Sequence, residues 1–453
     1  AISAPVEWGQ SSFIGTHFIG MQLMGSLQGR QVAALACFDS FGKTAMNLLR
    51  VARKEGASTS LHLLELPGRK LSRRQVLEIR RIDPRTAIKQ HEWGQLRELR
   101  TDLVQVDALV LGLDGRRTRE TQLLLQSAWI DQLRRPVLIS AYPGILFRHQ
   151  LEGMMDRSGV DLLCLNGETD AQLYRQACRA LGLDSSNAVV TGLPILWSIE
   201  PRLQVPDAAS IVFFEQPSVP DNPIQRRYIC RRLADLAQAW PAHPVIFKPR
   251  TSKVEATLHR QHGEMASRIE KLSRRVPNLQ ISYKPSLTLL KKCGCAITVS
   301  STAAMEAMAL GVSTRIVSDL GVNETLGNHY FLESAAIADF DSIIRDPFSL
   351  RLDQAWPERH GHIPGGDQVF IAALASRLNN PPQSSESADR EGPPGWGSNS
   401  WQTYALAKGG KKMLSSAGAR SRLVASHRGR NLLRRARQRV VGLWGLERLF
   451  KGR

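Results

Sequence analysis

The sequence predicts an α/β protein made of two parallel-sheet domains in series, each a succession of strand, polar turn and helix. Three observations carry this. Between Gln31 and Val317 short apolar runs recur, each closed by small or polar residues, and several lead into apolar residues at helical spacing, the pattern of βαβ units. The series breaks near residues 195–210 and then restarts. At 453 residues the chain is also longer than one hydrophobic core serves. It divides into an N-terminal domain at 1–200, a second domain at 201–380, a flexible linker at 381–400 and a basic tail at 401–453.

The first unit opens with the apolar run Gln31 to Phe38 and turns at Asp39-Ser40-Phe41-Gly42-Lys43. Ala45, Leu48, Leu49 and Ala52 then keep helical spacing until Gly56, and Ser60 to Leu66 reads as the next strand. This turn has neither the Walker spacing nor the dinucleotide glycine spacing, which excludes an ATPase and an NAD enzyme. Further strands are expected at Val106 to Leu113 before Asp114-Gly115, and at Pro136 to Ala141 before Tyr142-Pro143-Gly144. Val160 to Leu165 before Asn166-Gly167, a helix over Ala171 to Leu181, and Ala188 to Thr191 before Gly192-Leu193-Pro194 complete the first series.

The second series begins at Ser210 to Phe214, ending in Glu215-Gln216-Pro217, and a basic helix spans Arg226 to Trp240. Val245 to Phe247 ends in Lys248-Pro249-Arg250; Gln280 to Tyr283, a helix near Leu287 to Lys292, and Thr314 to Val317 follow. In open α/β sheets ligands collect at the carboxyl ends of strands, so these turns are expected to line a cleft between the domains. A helix over Gln368 to Leu378 is expected to fold back across the junction.

Ala296 to Gly311 is the most informative segment, a buried strand feeding Ser300, Ser301 and Thr302 into a helix. Backbone N–H groups at a helix start lack internal partners and carry partial positive charge, so with three hydroxyls this end suits a phosphate. The same residues also serve as ordinary helix caps, and both readings stand. Glu306, one turn further, is placed to reach a ribose hydroxyl.

Apolar residues make up 42% of the chain and charged residues 22%, a soluble globular balance, and no apolar run reaches the roughly eighteen residues of a spanning helix. The first residues carry Glu7 and no basic stretch ahead of an apolar segment, so a secretory signal is not expected and a cytoplasmic location is. Six scattered cysteines suit buried thiols in a reducing compartment. Cys293 and Cys295 have no second pair and no nearby His, so no metal site is expected.

The net charge of +19 is unevenly placed, because residues 401–453 hold fourteen Lys and Arg against the single acid Glu447. There Leu433, Ala436, Val440, Leu443, Leu446 and Phe450 recur at helical spacing among Arg434, Arg435, Arg437 and Arg439. That is a basic amphipathic helix with Trp444 and Phe450 as interfacial anchors. It suits attachment to the anionic inner face of a membrane, with a partner protein or non-specific nucleic-acid contact as alternatives. The Pro-, Ser- and Gly-rich stretch before it reads as a flexible linker.

Two such domains with a Ser-Ser-Thr helix start in the second resemble glycosyltransferases of the GT-B architecture, which have two Rossmann-like domains. The similarity extends to motifs. Phe213-Phe214-Glu215-Gln216-Pro217-Ser218-Val219-Pro220, Val245-Ile246-Phe247-Lys248-Pro249-Arg250, Thr298 to Ala307, and Asp319 to His329 resemble, in order, those of a family of bacterial GT-B-fold glycosyltransferases. The resemblance spans roughly residues 30–340. A more distant resemblance is to bacterial GT-B sialyltransferases and polysialyltransferases, which use an acidic-Asp-Gly motif, a His-Pro motif and a Ser-Ser motif. Leu113-Asp114-Gly115 and Ser300-Ser301 match the outer two; His243-Pro244 stands before its strand, and Lys248-Pro249-Arg250 occupies the strand end instead.

The resemblance implies transfer of a sugar from a nucleotide-sugar donor, with a CMP-linked sugar as one candidate, to a surface glycan or glycolipid. Such a reaction needs a base, charge for the leaving phosphate and exclusion of water. Asp114 is the candidate base, flanked by Arg116, Arg117 and Arg119, and its alternative is an Asp-Gly turn. Lys248, Arg250, Ser300, Ser301, Thr302 and Glu306 are the candidate donor site. Gly42, Tyr142, Gly192, Gln216, His259, Asn323, Glu324, Asn328 and His329 are candidate substrate contacts, some serving only to shape loops. No cofactor and no metal are expected, since no Asp-x-Asp motif of the metal-dependent type is recognised. Alternatives are a nucleotide-sugar epimerase or CDP-polyol phosphotransferase of similar fold and, in another class, a nucleic-acid-binding protein acting through the tail. Specific nucleic-acid binding is not expected, because the basic excess lies in the tail and aromatics are 6%.

Overall fold

A computed structural model describes residues 25–129, 135–146, 150–202, 209–216, 219–250, 264–350, 352–353 and 355–380. The linker, the basic tail, His259 and His262 lie outside the described residues. In the first domain β1 (Gln31–Ala36) leads through α1 (Asp39–Lys54) to β2 (Ser58–Glu65), and α2 (Arg73–Ile82) leads to β3 (Ala87–Glu92). Then come α3 (Leu96–Leu103), β4 (Ala108–Gly112), α4 (Gly115–Trp129), β5 (Val137–Ala141) and α5 (Gln150–Arg157). β6 (Leu162–Leu165), α6 (Glu168–Leu181) and β7 (Ala188–Val190) close the sheet.

The second domain runs β8 (Ser210–Phe214), α7 (Pro223–Ala239), β9 (Val245–Lys248), α8 (Glu264–Ser273), β10 (Leu279–Ile281) and α9 (Ser286–Leu290). β11 (Cys293–Thr298), α10 (Ala303–Ala309), β12 (Ser313–Val317), β13 (Ile337–Ala338) and α11 (Phe340–Arg345) follow, and then α12 (Ala355–His360) and α13 (Gly366–Asn379). The first sheet has the order β3-β2-β1-β4-β5-β6-β7 and the second β10-β9-β8-β11-β12-β13, with every pairing parallel. These are two Rossmann-like domains, the α/β class read from the sequence.

Burial explains why the strands were legible. β4, β5, β6, β8, β11 and β12 are buried at every position, and strands covered on both faces read as near-continuous apolar runs; β12 is the exception, its buried Ser313 and Arg315 donating to the Pro347 and Ser349 carbonyls. The edge strand β3, Ala-Ile-Lys-Gln-His-Glu, is largely exposed. On the helices, Phe41, Ala45, Leu48, Leu49 and Ala52 turn the buried side of α1 into the first core. α2 starts with a reciprocal cap between Ser72 and Gln75, and α6 stops at Gly182 in the left-handed conformation, φ 64°.

The domains are joined twice. Leu193, Leu196 and Ile199 of the first crossing are buried against α10 and Trp356 of α12, and α13 returns to pack on β6, β7 and α1. Phe370, Ile371, Leu374 and Leu378 of α13 thereby belong to the first core, as the helix expected over 368–378 implied. Gly192 makes this possible: it adopts φ 73°, and a Cβ there would lie 2.7 Å from the Gly361 carbonyl oxygen. The order of strand addition reverses once in each sheet, between β1 and β4 and between β8 and β11. Such switch points leave a crevice at the carboxyl ends of the strands.

Candidate functional site

The turns after the four switch-point strands carry Asp39, Asp114, Glu215 with Gln216, and Ser300. At the first, Phe38 is forced to φ 63° before Asp39 starts α1, a conformation that costs a non-glycine residue free energy and marks a constrained turn. Asp39 is buried, and its carboxylate faces the other domain, 3.6 Å from the Arg250 guanidinium and 3.6 Å from Lys43 Nζ. Burial alone would raise its pKa, yet Arg250 and Lys43 hold it below the usual carboxylate value. A second close approach joins the domains at Gly144, where a Cβ would lie 2.5 Å from Thr302 Oγ1. The helix start chosen from the sequence therefore looks into the crevice.

Around this junction the charges alternate. Lys43 Nζ donates to Glu78 Oε2 at 2.6 Å. Lys248, at the end of β9, is buried with Nζ donating to its neighbour Pro249's carbonyl at 2.8 Å. Burial, reinforced by Arg250, Arg74 and Lys43, pushes its pKa down to about 8. The Glu306 side chain makes no hydrogen bond or ion pair among the described residues; burial raises its pKa, while Lys43, Arg250 and Lys248 oppose the rise. Burial also pushes Glu215 up to about 7 against the pull of Arg226, 3.4 Å away. Arg250 keeps 41% of its side chain exposed. A flexible, always-charged guanidinium beside a buried ammonium can grip phosphate oxygens.

Ser300 departs from the phosphate-donor expectation. It is buried; its hydroxyl donates to the Leu326 carbonyl at 2.5 Å, its N–H donates to Gln216 Oε1 at 2.8 Å, and Gln216 Nε2 lies 3.1 Å from Ser300 Oγ. The pair ties three loops together, so Gln216 is a brace too. Ser301 Oγ accepts from the Ala303 N–H at 3.3 Å and its own N–H donates to Thr298 Oγ1 at 3.2 Å, so Ser301 is engaged within the turn ahead of α10. Thr302 remains, its hydroxyl and N–H making no hydrogen bond among the described residues, beside Glu306 one turn on.

Asp114 begins the β4–α4 turn, and its carboxylate accepts from the Arg117 backbone N–H at 3.2 Å and from the Arg117 side chain at 2.5 Å. Of the arginines expected around it, Arg116 pairs with Glu120 and Arg119 with Asp156 instead. Gly42 lies within α1, where a Cβ would meet Ile79 of α2 at 2.6 Å, so it serves helix packing. Tyr142 is buried beneath the Arg157 guanidinium, 4.5 Å from its ring, and burial pushes its hydroxyl up to about 12. Asn328 is fully buried, donating to the Val317 and Gly321 carbonyls, and Asn323 Oδ1 accepts from the Leu326 N–H. Both shape the loop. His329 is half-buried against the Asn323 carbonyl, and Glu324 is exposed on the same loop. His243 packs against Trp240 and Phe348 before β9, so Lys248-Pro249-Arg250 alone supplies the strand-end charge.

Sequence reasoning missed Asp39, Lys43, Glu78 and Glu215 as site residues. The signal for the first two was in plain view, since Asp39 and Lys43 stand in the turn after the first strand, where ligands collect. Among the described residues no group of three or more His, Cys, Asp or Glu could hold a metal ion, and no helix is long and apolar enough to cross a membrane. All six cysteines are buried and free.

Paired Rossmann-like domains with the carboxyl edges of both sheets facing one crevice define a protein of the GT-B architecture. The chain belongs to the family described as "Putative glycosyltransferase (DUF6716)", which matches residues 32–376. Among solved structures it is similar to UDP-GlcNAc 2-epimerase from Neisseria meningitidis bound to UDP-GlcNAc, with TM-score 0.52 and 10% identity over 76% of this chain and 100% of that one. It is also similar to the S. aureus MnaA–UDP co-structure, with TM-score 0.50 and 10% identity over 77% and 97% of the two chains. At such identity the likeness is one of fold. No curated protein matches the chain.

Proposed function

We propose that the protein transfers a sugar from a nucleotide-sugar donor to a hydroxyl of a surface glycan or glycolipid, without a metal ion. The observation that carries this is the meeting of Lys248 and Arg250 of the second domain with Asp39 and Lys43 of the first, at the carboxyl ends of both sheets. In this reading Lys248 and Arg250 bind the donor phosphates, the free Thr302 N–H and hydroxyl add donors, and Glu306 accepts from the ribose hydroxyls. The acceptor oxygen bonds to the anomeric carbon as the bond from that carbon to the phosphate oxygen breaks, and the electron pair leaves with the nucleotide. The acceptor proton passes to a carboxylate. We assign that role to Asp39, which faces Arg250, in place of Asp114, whose carboxylate is engaged in capping α4. The basic tail holds the enzyme at the anionic inner face of a membrane.

Thermal unfolding with CMP, UDP, GDP and CDP tests the reading, because a ligand specific for the folded state raises the melting temperature. One nucleotide should stabilise the wild type and do so far less in Arg250→Ala. Mass spectrometry of the corresponding nucleotide sugar should show turnover only with acceptor; turnover without acceptor would identify an epimerase, and no stabilisation by any nucleotide would sink the donor site itself.

A further inference from the structure

The far end of α1 carries a second cationic feature that the crevice does not use. A recess of about 620 Å3 opens between the last turn of α1 and the loop after α2, lined by Arg50, Arg53, Lys54, Ile82, Asp83 and Arg85 among others. Asp39 and Arg53 stand fourteen residues apart on one helix, which at 1.5 Å per residue separates the recess from the crevice by roughly 21 Å. It cannot form part of the donor site.

Arg53 and Lys54 alone would be unremarkable, since cations at a helix C-terminus offset its dipole. Arg50 and Arg85 have no such role: Arg50 lies a turn earlier with its Nε buried and unpartnered, and Arg85 is exposed on the adjoining loop. The single acid of the lining is already committed, because Asp83 is buried and its Oδ2 accepts from Arg53 Nε at 2.7 Å and from Thr86 Oγ1 at 2.7 Å. That contact also orients Arg53, leaving its terminal N–H groups without a hydrogen-bond partner among the described residues. Asp367 of α13 is the other carboxylate felt by Arg50. Four positive charges against one carboxylate in a recess of ligand size suit a compact, multiply charged anion better than an apolar molecule.

We propose that this recess is a second, phosphate-binding site, taking a phosphate-bearing ligand through Arg50, Arg53, Lys54 and Arg85. The phosphate belongs either to a soluble compound or to a lipid headgroup at the surface. The proposal does not rest on the donor site, and its test reads Lys54 directly. The full chain is treated with an amine-acetylating reagent, with and without inorganic pyrophosphate, and acetylation is followed by mass spectrometry, with exposed Lys89 as the internal control. Pyrophosphate should slow Lys54 acetylation by about threefold or more at saturating concentration, leave Lys89 unchanged, and lose its effect in the double variant Arg50→Gln/Arg85→Gln. Protection by phosphatidylglycerol vesicles but neither by phosphatidylcholine vesicles nor by pyrophosphate would support the site with a lipid headgroup as its ligand. Arg85→Gln alone removes a side chain with no ion pair among the described residues, so it carries the test if the double variant does not fold, and it should weaken protection. Equal acetylation of Lys54 with every probe, or protection that survives these substitutions, overturns the proposal.

Discussion

Replacing Lys248 by Met should remove a specific pH dependence of nucleotide binding. Burial holds the Lys248 pKa at about 8 in the free protein, against an ordinary 10.5. A bound phosphate would restore the proton, because an opposite charge favours the ammonium form. Affinity is therefore full below pH 8 and falls as pH rises through it, since binding must then recover a proton the free protein has lost. Near pH 7 the ammonium is about 90% formed and near pH 9 about 10%, so affinity should drop roughly tenfold, or about 1.4 kcal/mol. Isothermal titration of the best-stabilising nucleotide across this range at constant ionic strength measures the slope. Lys248→Met should bind more weakly near neutral pH and show a flat profile. Its fold should be intact, because Met keeps the volume of a buried side chain and relieves the cost of burying a charge. A wild-type profile flat from pH 7 to 9, or a variant retaining the slope, would refute the placement of the phosphate at Lys248.

Two further outcomes separate ligand contacts from internal braces. Ser300→Ala should lower stability by about 1–3 kcal/mol, seen as a drop of several degrees in melting temperature, because it leaves the buried Leu326 carbonyl and Gln216 amide without their partner; an unchanged melting temperature with lost nucleotide binding would return Ser300 to the ligand. Glu306→Gln should cut the preference for a ribonucleotide over its 2′,3′-dideoxy analogue by about tenfold, as expected for a hydrogen bond to a charged group. Equal discrimination by variant and wild type in titration calorimetry would remove Glu306 from the ribose.

Much of the architecture was legible because burial on both faces imposes a simple composition. Strands such as Ala108–Gly112, apolar throughout, and Cys293–Thr298, apolar up to its last residue, end abruptly in turn residues, so their existence and order follow from the chain alone. The stretch between Leu66 and Val106 was silent for the converse reason. There β3 lies at the exposed edge with Lys89, Gln90 and Glu92, and α2 is dominated by arginines with only Gln75 and Ile79 fully buried. β3 carries no apolar alternation from which a strand is read, whereas α2 does place Val76, Ile79 and Ile82 at helical spacing, a short signal set among four arginines.

The candidate site divides in the same way. Sequence by itself determined which turns would meet, since a strand end at a switch point lies in the crevice whatever residue stands there, and it located the charged Lys248–Arg250 strand end and the Thr302–Glu306 helix start. Tertiary structure alone decided which of those side chains are free to act. Ser300 and Gln216 spend their hydrogen bonds on each other and on Leu326, Asp114 spends its carboxylate on Arg117, and Gly42 and Gly192 are occupied by close backbone or side-chain approaches. Asp39 acquires its place only because a second domain brings Arg250 to it. A polar side chain's role depends on whether its partners are supplied by the fold or left for a ligand, and for Ser300, Gln216 and Asp39 those partners lie tens to hundreds of residues away along the chain.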